Sequence, residues 1–459
     1  MRVASTRQAF RSGSRSSSPA GTARGASERA VPVVDELAAA TLAFLAVVFN
    51  ALLAIVNAHV LPLTPSIVIA SEVAIVGAAH LVILRNFQPR MLPWYGLVMA
   101  IVLFAFFRTA VVGHLEPKFA RDILLIPTFV MLGMTVSLER TKQLVIALHA
   151  VVVGGVLFEA VFTDAYADLF RVRDYYIATR SFDDSSFWDK SSDLFVSATR
   201  PDERFFNFVD LHRLSSIFLE PVTLGNYVII INIFLAVFYR HLGWKLWTLI
   251  FVGNLVALVA CDGRLAALSS VIIVLVCVIA PLLPRGSALL YLPAALAGAV
   301  LLSVLTGADP RADDFTGRIA YCVQLLSRYE LMDWLGLSDQ FVGPAADSGI
   351  AYMVTTQSLI GVVLLFTLLV LSADQSRPEQ IRYLHAASVL AVLTLLISYS
   401  LFSIKTAAPL WFIHGALQAA GLLRAKPVVW SRVESVRGRL APVQRPSWRW
   451  RRHQGAAMR

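Results

Sequence analysis

The stretch His212–Tyr239, HRLSSIFLEPVTLGNYVIIINIFLAVFY, joins the end of a polar loop directly to a hydrophobic run. The run over 219–239 is apolar for about the twenty residues that a helix needs to cross a ~30 Å hydrocarbon core. The first half carries Arg213 and Glu220, seven residues apart at what is then a membrane boundary. Ionisable groups kept at such a place are expensive and by default mark function.

The same pattern extends over the chain on both sides. Candidate spans lie at 36–57, 66–84, 92–107, 122–138, 144–163, 219–239, 246–261, 265–283, 287–306, 348–371, 383–402 and 407–424. Helices satisfy their own backbone hydrogen bonds in lipid, so the expected fold class is all-α: a polytopic membrane protein of about twelve transmembrane helices. Composition agrees. Apolar residues make up 57% of the chain and charged residues 15%, against about 25% charged in a soluble domain. Mean hydropathy is +0.67.

The net charge of +10 is decided by its placement. With the N-terminus inside, the inner segments hold 25 Lys and Arg and the outer ones 15, ten of which sit in two long loops. Long loops count little in the positive-inside rule, and without them the ratio is 25 to 5. Both termini are therefore expected to be cytoplasmic, with loops 164–213 and 307–346 outside. No nucleic-acid partner is implied.

The domain reading is a basic tail over 1–35, a transmembrane domain over 36–424 and a second basic tail over 425–459. The first tail carries Arg2, Arg7, Arg11, Arg15, Arg24 and Arg29 against Glu28. No apolar segment directly follows a short basic head, so no cleaved signal peptide is expected. Such a tail reads as disordered and retained inside, or as a ligand for anionic lipid headgroups. Arg445, Trp448, Arg449, Trp450, Arg451 and Arg452 of the second tail suit the membrane interface. Cys261, Cys277 and Cys322 form no CxxC or His-Cys cluster, so neither a metal nor a cofactor is expected.

Loop 164–213 holds ten acids, seven bases and eleven aromatics, among them Tyr175, Tyr176, Phe182, Phe187, Trp188, Phe205, Phe206 and Phe208. Aromatics in that position anchor a loop at the interface or pack over helix ends. They also offer apolar faces to pyranose rings. Three further outward constellations follow. In Cys261-Asp262-Gly263-Arg264, Asp-Gly turns the chain and Arg264 snorkels. Thr316-Gly317-Arg318 opens the second loop. Asp347-Ser348-Gly349-Ile-Ala-Tyr352 begins a helix, with Asp347 placed as its N-cap.

Taken in order, these motifs resemble the O-antigen ligase/polymerase superfamily, which includes the Wzy-type polysaccharide polymerases. The features are a long outer loop, then Arg213, Phe218-Leu-Glu220-Pro221 and Leu224-Gly225-Asn226-Tyr227. Gly263-Arg264, Gly317-Arg318, Asp347-Ser348 and Leu359-Ile360-Gly361 come after them. The resemblance covers about 205–365. Ligases of the family usually have a His where Asp347 stands, and the layout is closest to exopolysaccharide polymerases of the xanthan type.

The resemblance implies a GT-C-like architecture in a bacterial inner membrane. It also implies a metal-independent glycosyltransferase acting on a polyprenyl-diphosphate-linked oligosaccharide. Chain-length regulators and flippases would be partners, besides membrane lipids. Guanidinium groups are permanently charged and forked for phosphate oxygens, so Arg213, Arg264 and Arg318, then Arg108 and Arg121, are the candidates for binding the diphosphate. Glu220 and Asp347 are the candidate bases for the acceptor hydroxyl, Glu220 the better placed beside Pro221. Glu220 could equally be an ion-pair partner of Arg213. A ligase of the family and a transporter or flippase are the alternative functions. The absence of a duplicated half argues against transport.

Overall fold

The computed structural model of the chain describes residues 33–422 apart from 181, 184, 186, 188, 190, 191, 200–203, 208–210, 285, 313 and 376. The Arg- and Trp-bearing tail positions, Trp188 and Phe208 therefore lie outside the described residues. What is described is helical, without a strand. The helices are α1 (Val33–His59), α2 (Pro65–Arg85), α3 (Leu92–Val112), α4 (Pro117–Gly133) and α5 (Leu138–Val161). After them come α6 (Thr163–Phe170), α7 (Val172–Arg180), α8 (Pro221–Phe238), α9 (Trp244–Cys261), α10 (Arg264–Ile279) and α11 (Tyr291–Thr306). The chain closes with α12 (Phe315–Ser327), α13 (Leu331–Trp334), α14 (Gly349–Leu371), α15 (Pro378–Ile397) and α16 (Ile404–Leu422).

Among the described residues, ten helices are long and apolar enough to cross a membrane: α1, α2, α3, α5, α8, α9, α10, α11, α14 and α15. The expected count of twelve is not reached, because α4 and α16 fall short. α10 and α11 reach the length with their adjoining 3-10 turns, as Arg264–Leu282 and Ser287–Thr306, whereas α4 has 17 residues and carries Lys118, Arg121 and Asp122 near its start. α16 carries Lys405, His414 and Gln418, all buried. The reason is location. The two helices cross at glycines, where a Cβ on Gly133 would stand 2.0 Å from the Phe412 carbonyl oxygen and one on Gly415 1.9 Å from that of Val130. Small residues permit such close backbone approach between membrane helices. A pair enclosed by other helices meets protein rather than lipid and tolerates polar groups.

Helix ends sort into two sets. At one end Asn86 donates to Asp35 (3.0 Å), Ser137 to Glu36 (2.9 Å) and the Gly286 amide to Gln375 (2.6 Å). At the other, Arg121 meets Glu72 (2.7 Å) and Lys405 meets Glu220 (3.3 Å). Both long loops emerge at this second end. They are partly helical: α6 and α7 lie in the first, α12 and α13 in the second.

The second loop is packed into a break in α14. Ser358 leaves helical geometry at φ 66° and ψ 160°. Gly336, just after α13 and itself at φ +69°, lies so close that a Cβ there would be 2.7 Å from the Ser358 nitrogen. Only a residue without a side chain fits that contact and that φ. Arg108, 3% exposed, holds the segment by donating to the carbonyls of Gly336 (3.0 Å) and Ser338 (3.3 Å) and by pairing with Asp339.

Candidate functional site

A cleft of about 220 Å³ opens at the loop end of the bundle, and Arg213, Arg264 and Arg318 all line it. They come from the end of the first loop, the first residue of α10 and the first turn of α12. Each is delivered by a local device.

Arg213 is aimed by its neighbours. Glu159 of α5 is wholly buried, and one of its oxygens accepts from the amides of Ser215 (2.8 Å) and Ser216 (2.7 Å). Its other oxygen faces His212 Nε2 at 3.2 Å. This grip holds Ser216 at φ 52° in a chain that also has Leu219 at φ 64°. Such left-handed positions cost a non-glycine residue ~1–3 kcal/mol each and persist only where surroundings enforce them. Arg213 then donates to the carbonyls of Cys261 (3.2 Å) and Ser197 (3.4 Å).

Arg264 follows a turn in which Asp262, not Gly263, takes the left-handed conformation (φ 52°). The Asp262 carboxylate accepts from the amides of Phe205 (3.1 Å) and Phe206 (2.9 Å). Arg204 donates to the carbonyls of His212 (3.0 Å) and Val259 (2.8 Å), so the loop is tied to the end of α9. Arg318 sits in the turn capped by Asp314, whose side chain accepts from the Gly317 amide (2.7 Å) and Thr316 (2.9 Å). Those bonds hold its carboxyl below the usual range.

Polar Asn226, Thr394 and Ser400 line the cleft among apolar residues such as Val222, Leu265 and Ile397. Asn226 donates to Ser400 at 2.9 Å, and Thr394 Oγ1 is buried without a partner among the described residues. Three guanidinium groups outnumber the two carboxylates, Asp262 and Asp314, that line the cleft with them, and can receive an anion with several oxygens.

The other expected site residues lie elsewhere. Arg108 holds the second loop, as described above, and Arg121 is committed to Glu72 and Asp122 (2.6 Å). Neither lines the cleft. Glu220 is not the partner of Arg213. One of its oxygens meets Lys405 and Arg180, both at 3.3 Å, and the Tyr176 hydroxyl, while the other accepts from Thr223 at 2.6 Å. Burial alone would raise its pKa, but Lys405 and Arg180 outweigh burial and hold the carboxyl at about 2.

Asp347 is exposed in a turn over Pro344–Asp347, and Ser348, not Asp347, caps α14 by accepting from the Ala351 amide. It stays close to the cleft. A Cβ on Gly349 would be 2.4 Å from the carbonyl oxygen of Ser398, a cleft residue. Among the described residues, no three His, Cys, Asp or Glu converge on a possible metal position.

No family model, curated protein or solved structure matches this chain. The arrangement itself must carry the functional reading.

Sequence reasoning missed Glu159, Lys405, Glu72 and Asp122. Each is an ionisable residue inside an apolar run, and that was the available signal. It also missed the cleft floor, since Thr394 and Ser400 look like ordinary small residues near a helix end.

Proposed function

We propose that the chain is a glycosyltransferase of the outer membrane face that polymerises oligosaccharide repeats carried on polyprenyl diphosphate. The observation that carries this reading is the convergence of Arg213, Arg264 and Arg318 on one cleft at the boundary of the spanning helices. A lipid-linked diphosphate presents its charge at that depth. Fixed cations in a water-poor cleft stabilise charge on a leaving group far better than they would in water. Arg108 and Arg121, being bound to carboxylates elsewhere, do not share this role.

In the proposed reaction a hydroxyl oxygen of the acceptor sugar bonds to the anomeric carbon of the donor. The bond from that carbon to the diphosphate oxygen breaks, the diphosphate leaves with the electron pair, and the hydroxyl proton passes to a carboxylate. Glu220 has both oxygens engaged and is held ionised by two cations, which suits a scaffold better than a base. Asp347 is exposed two residues before Gly349, which abuts the cleft residue Ser398, so the proton is assigned to it.

Deletion of the gene with analysis of surface-polysaccharide chain length tests the reading. Single unpolymerised repeats at the cell surface are expected. Full-length chains left unattached to their acceptor would replace the polymerase by a ligase, and loss of all exported repeats would replace it by a flippase.

A further inference from the structure

Ser398 and Ser400 line the arginine cleft, but Tyr399 between them is not among its lining residues. It packs at a tilt against the buried ring of Tyr352 of α14, with ring centroids 5.2 Å apart at 33°. The Lys118 ammonium lies 4.7 Å from the centre of the Tyr352 ring and 5.1 Å from that of Tyr399. The Tyr352 hydroxyl is held by Asp122 at 2.6 Å and by Lys118 at 2.8 Å. Tyr399 is 36% exposed, and the Lys118 side chain 44%. The charges that act on the Tyr399 phenol include Arg180, Asp122, Glu220 and Asp347.

An aromatic shelf bordered by charged hydrogen-bonding groups of both signs is poorly matched to a simple anion, which the neighbouring carboxylates would repel. It is well matched to a neutral sugar, whose C–H face packs on the ring while its hydroxyls donate and accept around the edge. The cleft on the other side of Ser398–Ser400 differs in its balance, with three arginines against two carboxylates, Asp262 and Asp314, and with no tyrosine in its lining. One short segment thus separates an arginine-lined pocket from a carbohydrate-like shelf, and Asp347 is among the charges that act on Tyr399 of the shelf.

We infer that Tyr399 and Lys118, backed by the buried ring of Tyr352, form a second subsite that binds the acceptor glycan, across the Ser398–Ser400 segment from the diphosphate cleft. This rests on the proposed function but concerns different residues. It places the acceptor hydroxyl beside Asp347 while the donor diphosphate occupies the arginine cleft.

The full chain in lipid nanodiscs is titrated separately with two probes. One is inorganic pyrophosphate. The other is soluble neutral oligosaccharide cut from the producing cell's own surface polysaccharide. Tyr399→Ala is expected to weaken oligosaccharide binding roughly tenfold, the equivalent of one stacked ring, and to leave pyrophosphate affinity unchanged. Tyr399→Phe keeps the ring and should stay near wild type. Arg264→Lys should show the reverse pattern, losing pyrophosphate and keeping oligosaccharide.

Unchanged pyrophosphate affinity also shows that Tyr399→Ala is folded. If that variant fails to fold, Lys118→Met gives the same comparison at the shelf. Pyrophosphate binding without oligosaccharide binding in the wild type would overturn the subsite alone. Oligosaccharide binding without pyrophosphate binding would overturn the diphosphate reading and leave the shelf as a glycan site. Equal losses of both probes in Tyr399→Ala would overturn the separation of the two.

Discussion

Replacing Glu220 by Gln separates scaffold from catalyst. The side chain keeps its shape and can still accept from Thr223, but loses its charge beside Lys405 and Arg180. The two cations are not equivalent. The Arg180 side chain is 42% exposed and that of Lys405 only 1%. A solvated pair contributes ~0–1 kcal/mol, so nearly all of the effect falls on Lys405. That ammonium would be left with the Phe218 carbonyl at 3.0 Å and with Glu72 acting only from beyond ion-pair distance. Stranding one member of a buried pair costs about 3–5 kcal/mol. Thermal unfolding of detergent-solubilised protein, followed by tryptophan fluorescence, should therefore show Glu220→Gln clearly destabilised. Glu220→Gln combined with Lys405→Met removes both charges and should recover most of the loss. A Glu220→Gln protein as stable as wild type yet unable to polymerise would refute the scaffold assignment and make Glu220 the base.

Further outcomes follow from the same geometry. The Glu220 carboxyl is depressed from 4.5 to about 2, so its stabilising contribution is complete above pH 4.5 and fades as pH falls toward 2; wild type should lose that increment over this window and Glu220→Gln should not. Arg213→Lys and Arg264→Lys keep charge but lose the fork, and each should lower polymerisation by roughly a hundredfold, about 3 kcal/mol, with expression intact; near-normal polymer from both would count against diphosphate binding. Asp347→Asn should fold normally, because Ser348 supplies the α14 cap, and should abolish chain extension in an in-vivo polymer assay. Cysteine-accessibility labelling should mark positions in 170–205 and 320–340 from outside, and the position of Arg377 only after permeabilisation; the reverse would invert the topology.

Much of the all-helical membrane fold was legible, because twenty-residue apolar runs need only hydropathy to be recognised. The two expected spans that fall short in length or composition, α4 and α16, are those whose surroundings are protein, which local hydropathy does not record. At the candidate site the spacing of Arg213, Arg264 and Arg318 around helix starts pointed to one outward face, and the three do share a cleft. The partner of Glu220 was not legible. Arg213 lies seven residues away in sequence, whereas Lys405 arrives from a helix nearly two hundred residues later, and no local pattern encodes that meeting. The capping role given to Asp347 failed for a simpler reason. Ser348 is an equally good cap, and the turn over Pro344–Asp347 shifts the helix start by one residue.

The crossing of α4 and α16 at Gly133 and Gly415 bears on how the chain is built. α4 enters the membrane early in synthesis, and its partner is the last described helix to be made. Until then the carbonyl of Val130 and the backbone around Gly133 have no α16 to cover them. An insertion intermediate ending before residue 404 would thus carry a marginally apolar helix with its closest packing surface bare. Such a helix needs temporary shelter from lipid, so assembly of this bundle depends on holding a gap open until α16 arrives to fill it.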